Sequence, residues 1–354
     1  MRIQLFIGQL AGGGAEKVLT MLANHYVEKG HQVEIVMLLG HRVEREHFDL
    51  NESVDIVDLS IEGSYIKNIL GWLKRIRKHV KGTNPDAIIS FIGRINALVL
   101  TALVGIKVPV LISERSDPHH DGRGALMLKY CDLIYRKASA IAFQTSYQRN
   151  CFSKAHKEHS YIIPNPIGIL PLPEEGIDPM LVVTTGRLHP AKNHPMLIKA
   201  MRIVKGKIPT ARCEIYGDGN LHEELQKEIN QNGLSRTVTL MGKKSNVTDY
   251  VARCNVFVMT SDYEGLSNSL MEAMMLGKIC ISTDYDGVED LIEEDVNGII
   301  VPKGNAEAMA DAIVKALRND YNPDLGKNAR SKMLGYDEKT ILAKWDKVLM
   351  ETIR

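Results

Sequence analysis

The sequence predicts an α/β protein made of two doubly wound domains, each a parallel sheet with helices on both faces. Two observations support this. Short apolar runs alternate with helical segments from the N-terminus onward, and the alternation stops at a proline-rich joint and then restarts. Strand–helix alternation with short loops implies parallel sheets covered on both faces. At 354 residues the chain is long enough for two such domains.

The first half begins with a strand, a run of glycines and a helix that ends at Gly30. Its predicted strands are 3–7, 31–39, 87–91, 108–113 and 140–144, and its predicted helices are 15–29 and 96–104. The joint contains Pro164, Pro166, Pro171 and Pro173, which cannot sustain helix or sheet. We therefore expect one domain over 1–168 and another over 176–335.

The second half repeats the pattern. Its predicted strands are 181–185, 211–216, 238–241, 256–260, 279–283 and 298–301, and its predicted helices are 196–205, 221–232 and 306–317. A last helix over 338–353 carries an apolar stripe.

Composition excludes several protein classes. The content of 44% hydrophobic and 25% charged residues is typical of a soluble globular protein. The five cysteines are scattered, which predicts a reducing compartment with no disulfide framework and no zinc site. No apolar run approaches the ~20 residues of a membrane-spanning helix, and the N-terminus reads as a strand rather than a signal peptide.

Charge is unevenly distributed along the chain. Residues 1–170 carry 21 Lys and Arg against 16 Asp and Glu, whereas residues 171–354 carry 23 against 27. Nine of the twelve histidines also lie in the first half. A basic first half suggests an anionic surface or substrate on that side.

Two carboxylates bracket the predicted start of a helix in the second half. Glu264 and Glu272 are separated by seven residues, with Ser267 or Asn268 as the N-cap between them and Gly277 as the stop. The unpaired N–H groups and positive dipole end of a helix start suit a phosphate. One carboxylate on each side could accept hydrogen bonds from the hydroxyls of a sugar and of a ribose.

This spacing resembles the E-x7-E motif of retaining GT-B glycosyltransferases, in particular glycosyltransferase family 4. Three further segments resemble family motifs in family order: a glycine loop at 12–16, a G-R-L…K-N loop at 186–193 and a G-x-G turn at 217–219. The resemblance covers nearly the whole chain. It implies the GT-B fold, two Rossmann-like domains facing across a cleft, with helix 338–354 crossing back to the first domain.

The resemblance also implies roles for individual residues. Arg187 and Lys192 would neutralise the charge that builds on the leaving phosphate without a metal. Glu264 would contact the donor sugar and could support positive charge at its anomeric carbon, and Glu272 would bind the ribose. Further donor-binding positions, through backbone groups or contact with the base, are Gly13, Gly14, Gly186, Gly217, Gly242, Lys243, Gly265, Leu266, Ser267 and Asn268.

Many family members place a histidine after a strand of the first domain, near the reacting sugar. This chain has Arg115 at the corresponding position, preceded by Glu114. Arg115 would then hold phosphate or sugar, and His119 is a secondary candidate. Glu114 is either a cleft residue or a structural partner of Arg115.

The segment 65–81 is basic and amphipathic, with apolar residues at helical spacing. Such a helix, carrying a tryptophan, predicts docking on an anionic membrane surface. The alternative is a surface helix whose apolar stripe packs on the first sheet. The predicted membrane residues are Lys67, Trp72, Lys74, Arg75, Arg77 and Lys78.

Motifs of other nucleotide- and metal-binding classes fail. Neither 12–17 nor 217–222 completes the dinucleotide fingerprint G-x-G-x-x-G, and no P-loop motif occurs. His119 and His120 are adjacent, a spacing that does not place two imidazoles on one helix face, so we expect no metal site. No cofactor is expected beyond the nucleotide-sugar substrate.

Together these features predict a metal-independent, retaining hexosyltransferase. It would move a sugar from a nucleotide diphosphate, with UDP favoured over GDP, to a lipid-linked or oligosaccharide acceptor in bacterial cell-surface polysaccharide or glycan biosynthesis. We expect a cytoplasmic protein held peripherally on the inner face of the plasma membrane, with no nucleic-acid partner. The alternatives are another GT-B enzyme, such as a sugar-nucleotide epimerase, or a non-enzymatic nucleotide-sugar-binding scaffold.

Overall fold

A computed structural model of the chain describes residues 1–10, 13–40, 49–63, 65–172 and 176–353, and leaves aside the side chains of 65–67. Residue 12 of the glycine loop, residues 173–175 of the joint and the side chain of Lys67 lie outside the described part. The chain divides into two compact units. The first comprises Met1–Pro166 with Glu338–Arg354, and the second comprises Ile167–Asp337.

The first unit is built on a seven-stranded parallel sheet. Its strands are β1 (Arg2–Ile7), β2 (Gln32–Met37), β3 (Asp55–Asp58), β4 (Ala87–Phe91), β5 (Val110–Ser113), β6 (Ala140–Phe143) and β7 (Ser160–Ile162), in the spatial order β3-β2-β1-β4-β5-β6-β7. Its helices are α1 (Gly14–Glu28), α2 (Tyr65–Thr83), α3 (Gly93–Ala102), α4 (Ala125–Ile134), α5 (Ser146–Asn150) and the C-terminal α12 (Glu338–Ile353). An apolar cluster covers each face of the sheet, which is why the central strands are mostly apolar.

The second unit has a six-stranded parallel sheet of the same kind. Its strands are β8 (Asp178–Thr185), β9 (Arg212–Tyr216), β10 (Val238–Gly242), β11 (Cys254–Met259), β12 (Ile279–Thr283) and β13 (Ile299–Val301), in the order β10-β9-β8-β11-β12-β13. Its helices are α6 (His194–Lys207), α7 (His222–Gln231), α8 (Val247–Ala252), α9 (Asn268–Met275), α10 (Ala306–Leu317) and α11 (Leu325–Leu334). Two apolar clusters again sandwich the sheet.

The predicted fold class is confirmed, since both units are Rossmann-like doubly wound parallel sheets. Four elements, β4, β12, α10 and α12, have the predicted bounds. The structure adds β3, β7, α4, α5, α8 and α11, which the sequence patterns did not indicate. Most of these are short, and β3 and β7 lie at the sheet edges, where half-exposed residues weaken the hydrophobic pattern.

Each sheet has one point where the strand order reverses, between β1 and β4 in the first unit and between β8 and β11 in the second. Loops that leave such a point diverge and form a crevice at the carboxyl ends of the strands, where open α/β sheets bind ligands. None of the described helices has the length and apolarity needed to cross a membrane.

Candidate functional site

In the second unit, the loops after β8 and β11 meet at the point of strand reversal. Lys192 Nζ contacts Glu264 Oε1 at 2.5 Å, although the two residues are far apart in the chain. The Ser261 hydroxyl donates to the same carboxylate oxygen at 2.6 Å. Both members of the ion pair are largely shielded, with side chains 20% and 15% exposed. The structure therefore places one cation and one carboxylate, predicted to act together, in direct contact.

Hydrogen bonds hold these two loops against each other. Asn193 caps the start of α6 and donates through its side-chain amide to Asp262 Oδ1 at 2.9 Å. The Asp262 N–H donates to the Ala191 carbonyl at 2.8 Å, and the Thr260 hydroxyl donates to the Lys192 carbonyl at 2.8 Å. The sequence patterns did not point to Thr260, Ser261 or Asp262, because their roles depend on which loops become neighbours. These hydrogen bonds fix the positions of the two loops that carry Lys192 and Glu264.

Glycines allow the loops after β8, β9 and β10 to approach one another closely. The N–H of Gly186 donates to the Tyr216 carbonyl, and the N–H of Gly217 donates to the Gly242 carbonyl. A Cβ built on Gly217 would lie 1.8 Å from the Gly186 carbonyl oxygen, and one on Gly219 would lie 2.4 Å from the Leu188 carbonyl oxygen. The close contact of the G-R-L loop with the G-x-G turn thus depends on missing side chains.

The start of α9 follows Glu264 as the sequence predicted. Ser267 is the N-cap, and its hydroxyl accepts the Leu270 N–H at 3.4 Å. Gly277 ends the helix with a φ of 67°. Glu272 lies about one turn inside the helix, while Gly265 and Leu266 lie in the connecting loop and Asn268 opens the helix. The start of α9, which suits an anion, therefore lies between Glu264 and Glu272 in the sequence.

Three more basic or titratable side chains of the second unit belong to these loops or to the helix that follows: Arg187, Lys243 and His194. Arg187 and Lys243 are exposed, so their charges are available to a ligand. His194, the first residue of α6, is buried, and its Nε2 lies 3.4 Å from the Arg187 carbonyl oxygen. Burial lowers the pKa of His194 to about 4. The neutral imidazole therefore supports the loop that carries Arg187, a role that no sequence motif indicated.

In the first unit, the loop after β1 leads into α1. Gly13 is the N-cap, and Gly13 and Gly14 are exposed, as a close approach to a ligand requires. The carboxylate of Glu16 accepts the Gly13 N–H at 2.6 Å. A carboxylate thus already contacts the amide that we predicted to face a phosphate.

Arg115 is held inside the first unit at the carboxyl end of β5. Its guanidinium lies 4.4 Å from the centre of the Phe91 ring and 5.3 Å from that of Trp345 in α12, and its Nη1 donates to Asn165 Oδ1 at 2.9 Å. Burial lowers the pKa of Arg115 to about 9. Its Nε and Nη2 are buried and donate to no described group. Contact of the Arg115 guanidinium with phosphate or sugar stays a prediction.

Both expectations for Glu114 are wrong. Its carboxylate is fully buried and binds the guanidinium of Arg123 through two contacts, at 2.8 and 2.9 Å, and the Tyr135 hydroxyl also donates to it. Arg123, and not Arg115, is the structural partner, and the carboxylate is too enclosed to meet an acceptor. The pair closes the loop 114–124 onto the sheet, which sequence could not show because eight residues lie between the partners.

His119 and His120 lie on that same loop. His119 is exposed, and its backbone N–H donates to Asp117 Oδ1 at 2.9 Å. The His120 ring Nδ1 lies 2.7 Å from Asp117 Oδ2. Within the described part of the chain, no three His, Cys, Asp or Glu side chains cluster so as to hold a metal ion.

The basic helix α2 both packs and presents charge. Trp72 is only 2% exposed and belongs to the core under the helix, so its prediction as a membrane residue is wrong. Arg75 donates to the Ser60 carbonyl at 2.5 Å, and Arg77 donates to the carbonyls of Ala102 and Val104. Lys74 and Lys78 are exposed.

Two family profiles together match most of the chain. The profile of the family described as "Glycosyl transferases group 1" matches residues 173–332, and that of "Glycosyltransferase Family 4" matches residues 12–169. The chain belongs to these glycosyltransferases. Arg187, Lys192, Glu264 and Glu272 of this glycosyltransferase all fall within the group 1 match.

Relatives match this glycosyltransferase over almost its full length. It is 26% identical over 369 aligned residues, 99% of each chain, to the Campylobacter jejuni "GalNAc-alpha-(1->4)-GalNAc-alpha-(1->3)-diNAcBac-PP-undecaprenol alpha-1,4-N-acetyl-D-galactosaminyltransferase". It is 26% identical to a second C. jejuni enzyme, "N-acetylgalactosamine-N,N'-diacetylbacillosaminyl-diphospho-undecaprenol 4-alpha-N-acetylgalactosaminyltransferase", over 96% of this chain and 97% of that one. Among solved structures, Anabaena Alr3699/HepE in complex with UDP superposes with a TM-score of 0.84 at 20% identity, covering 99% of this chain and all of the other.

Proposed function

We propose that this glycosyltransferase transfers a sugar from a UDP-sugar to a lipid-linked glycan acceptor, with retention of anomeric configuration and without a metal ion. The observation that carries the proposal is the Lys192–Glu264 contact at the point of strand reversal in the second unit. It joins a phosphate-binding cation to a sugar-binding carboxylate in the crevice where this type of sheet holds ligands.

The donor's diphosphate would lie beside Lys192, Arg187 and the start of α9. An ammonium group has three N–H donors, so Lys192 can keep its contact with Glu264 and still donate to phosphate oxygens. Arg187 adds a planar fork that suits two oxygens. Backbone N–H groups from Gly265 to Ser267 would supply further donors. These groups stabilise the negative charge that develops as UDP departs.

The two glutamates would bind the neutral ends of the donor. Glu264, held by Lys192 and Ser261, would accept hydrogen bonds from the sugar hydroxyls and support positive charge at the anomeric carbon. Glu272, inside α9, would accept from the ribose. The turns at Gly186, Gly217 and Gly242–Lys243 lie at the carboxyl ends of β8, β9 and β10 and would contact the base.

The absence of a metal requirement follows from this distribution of charge. Lys192 and Arg187 supply positive charge at the leaving group, which is the role that a divalent cation plays in metal-dependent transferases. We therefore expect turnover to persist in EDTA, and an absolute requirement for Mg²⁺ or Mn²⁺ would contradict this part of the proposal.

The acceptor and the setting rest on the relatives. Two enzymes of similar full length act on undecaprenol-diphosphate-linked glycans, and a protein of the same fold was solved with UDP. We infer a lipid-linked acceptor in bacterial surface-glycan assembly. Because such an acceptor resides in a membrane, the exposed Lys74 and Lys78 of α2 would hold the protein at an anionic bilayer on the cytoplasmic side.

The first test is a thermal-shift panel with UDP, GDP, ADP, NAD and common UDP-sugars. A ligand at ~100 times its Kd adds ~2.7 kcal/mol of stability, which gives a visible shift. We expect UDP compounds to stabilise the parent and the control variants R202A and E223Q, whose exposed side chains lie on α6 and α7. The same compounds should not stabilise R187A or E272Q.

The second test follows the product. The anomeric proton coupling of the new glycosidic bond, measured by NMR, should match that of the donor sugar. An inverted product would refute the retaining mechanism, and no stabilisation by any nucleotide would favour a non-enzymatic scaffold.

A further inference from the structure

Helix α4 exposes a row of large apolar side chains. Leu126 is 84% exposed, Leu133 is 60% exposed and Tyr130 is 39% exposed. Their spacing of four and three residues places them on one face of the helix. The opposite face supplies Cys131, Met127, Leu128 and Ile134 to the core. The helix is therefore apolar on both sides, whereas a surface helix of a soluble domain normally turns a polar face to water.

The row on α4 belongs to a larger surface that includes α2. Helix α3 lies between the two helices. Arg77 of α2 donates to the carbonyls of Ala102 and Val104 at the C-terminal end of α3. The hydroxyls of Tyr130 and Thr101 lie 2.5 Å apart at the same end of α3. Val104 at this junction is 52% exposed, and Leu70 of α2 is 72% exposed. We call Leu70, Val104, Leu126, Tyr130 and Leu133 the α2–α4 surface.

The charges around this surface are mostly of one sign. Exposed basic side chains on and next to the two helices are Lys74, Lys78, Lys129, Arg136 and Lys137. Helix α2 contains no acidic residue, and α4 contains only Asp132. The Asp132 carboxylate accepts the Ser153 N–H at 2.7 Å and lies 3.0 Å from His156 Nε2, so its charge is tied to the protein.

We propose that the α2–α4 surface inserts into an anionic lipid bilayer, with the Leu126–Tyr130–Leu133 row entering the apolar boundary and the lysines meeting lipid phosphates. Exposed apolar side chains flanked by lysine and arginine match the layered chemistry of a bilayer interface. Pairing with a second copy would bring two basic surfaces together, which charge disfavours. The inference deepens the proposed function, on which its membrane setting rests.

The test uses flotation of the full chain with vesicles of phosphatidylglycerol and phosphatidylcholine. We expect L126S/L133S to weaken binding to phosphatidylglycerol vesicles by at least about tenfold, because two leucines lose their burial in lipid. The matched control is V296S/L334S, which removes two exposed apolar side chains from the second unit and should bind like the parent. The loss in L126S/L133S should remain at high salt, whereas the effect of K74Q/K78Q should vanish there.

Insertion can also be read directly by fluorescence. The two native tryptophans, Trp72 and Trp345, are both buried, so the added tryptophan of the L133W variant supplies the change in signal. We expect its emission to shift to the blue on phosphatidylglycerol vesicles and to be quenched by brominated acyl chains. No shift and no quenching would overturn the inference, as would unchanged flotation of L126S/L133S.

These readouts are independent of sugar transfer. If L126S/L133S binds vesicles like the parent but UDP still stabilises the protein, the proposed function stands and the membrane role of α4 is wrong. If L126S/L133S abolishes a dimer seen by light scattering without affecting flotation, the surface contacts a second copy and the inference is also overturned.

Discussion

The substitution G217A tests whether the contact between two glycine loops organises the donor site. Gly217 has a φ of 152°, and a Cβ at this position would lie 1.8 Å from the Gly186 carbonyl oxygen and 2.8 Å from its carbonyl carbon. Real Cβ atoms essentially never come closer than 3.0 Å to such atoms. The neighbour is backbone and cannot rotate away, so the 186–188 loop must move by on the order of 1 Å.

That movement would displace the loop that carries Arg187. A misplacement of about 1 Å in a binding group can reduce turnover by ~10²-fold, and overpacking costs about 1–3 kcal/mol of stability. We therefore expect G217A to remain folded, to bind UDP at least about tenfold more weakly and to lose about two orders of magnitude in kcat/KM.

Isothermal titration with UDP measures the affinity, and urea unfolding measures the stability. The matched control is G206A in α6, where an added Cβ meets no atom within 4 Å. Alanine is the better helix residue, so G206A should be neutral or slightly stabilising. If G217A is folded and binds UDP within twofold of the parent, the loop contact does not organise the site and the reasoning is refuted.

Four further predictions concern single residues. K192A should reduce kcat/KM by about 10²–10³, because it removes a cation from the developing phosphate charge. A radioactive transfer assay that finds parental activity would contradict the role of Lys192. In the same assay E264Q should impair turnover, while its affinity for UDP is retained. G93A should lower the free energy of unfolding by about 3–5 kcal/mol, because its Cβ would lie 1.8 Å from Nη1 of the buried Arg123, whereas the α2 variant G82A, with open space at that position, should melt like the parent. Burial holds the pKa of His194 near 4, against 6.5 in the unfolded chain. The stability that the neutral imidazole contributes is therefore intact above pH 6.5, and up to about 3 kcal/mol of it is lost between pH 6.5 and 4. In urea titrations the free energy of unfolding of H194Q should depend less on pH than that of the parent, and an unchanged pH dependence would remove His194 as the cause.

Much of the fold could be predicted from the sequence, because the underlying signals are local. Strands buried on both faces are mostly apolar, so β4 and β12 were recognisable from five residues each. Capping and termination are also local, which is why the start of α9 at Ser267 and its stop at Gly277 matched the expectation. The bounds of edge strands and short helices were missed where that pattern is weak.

The partners of charged and aromatic side chains could not be predicted in this way. The sequence predicted Glu114 as a cleft residue or a partner of Arg115, and Trp72 as a membrane residue, yet Glu114 binds Arg123 and Trp72 lies in the core. Helical spacing indicates which residues share a face, but only the position of the neighbouring element decides whether that face is covered. The same limit hid the exposed apolar row on α4.

The sequence by itself determined that two strand–helix series form parallel sheets, and which glycines, cations and carboxylates end up in loops at their carboxyl ends. Only the tertiary structure decided that Lys192 contacts Glu264. That contact exists because β8 and β11 are hydrogen-bonded neighbours at the point of strand reversal, although two other strands separate them along the chain. Strand order arises from the packing of the whole domain, and no local pattern of residues contains it.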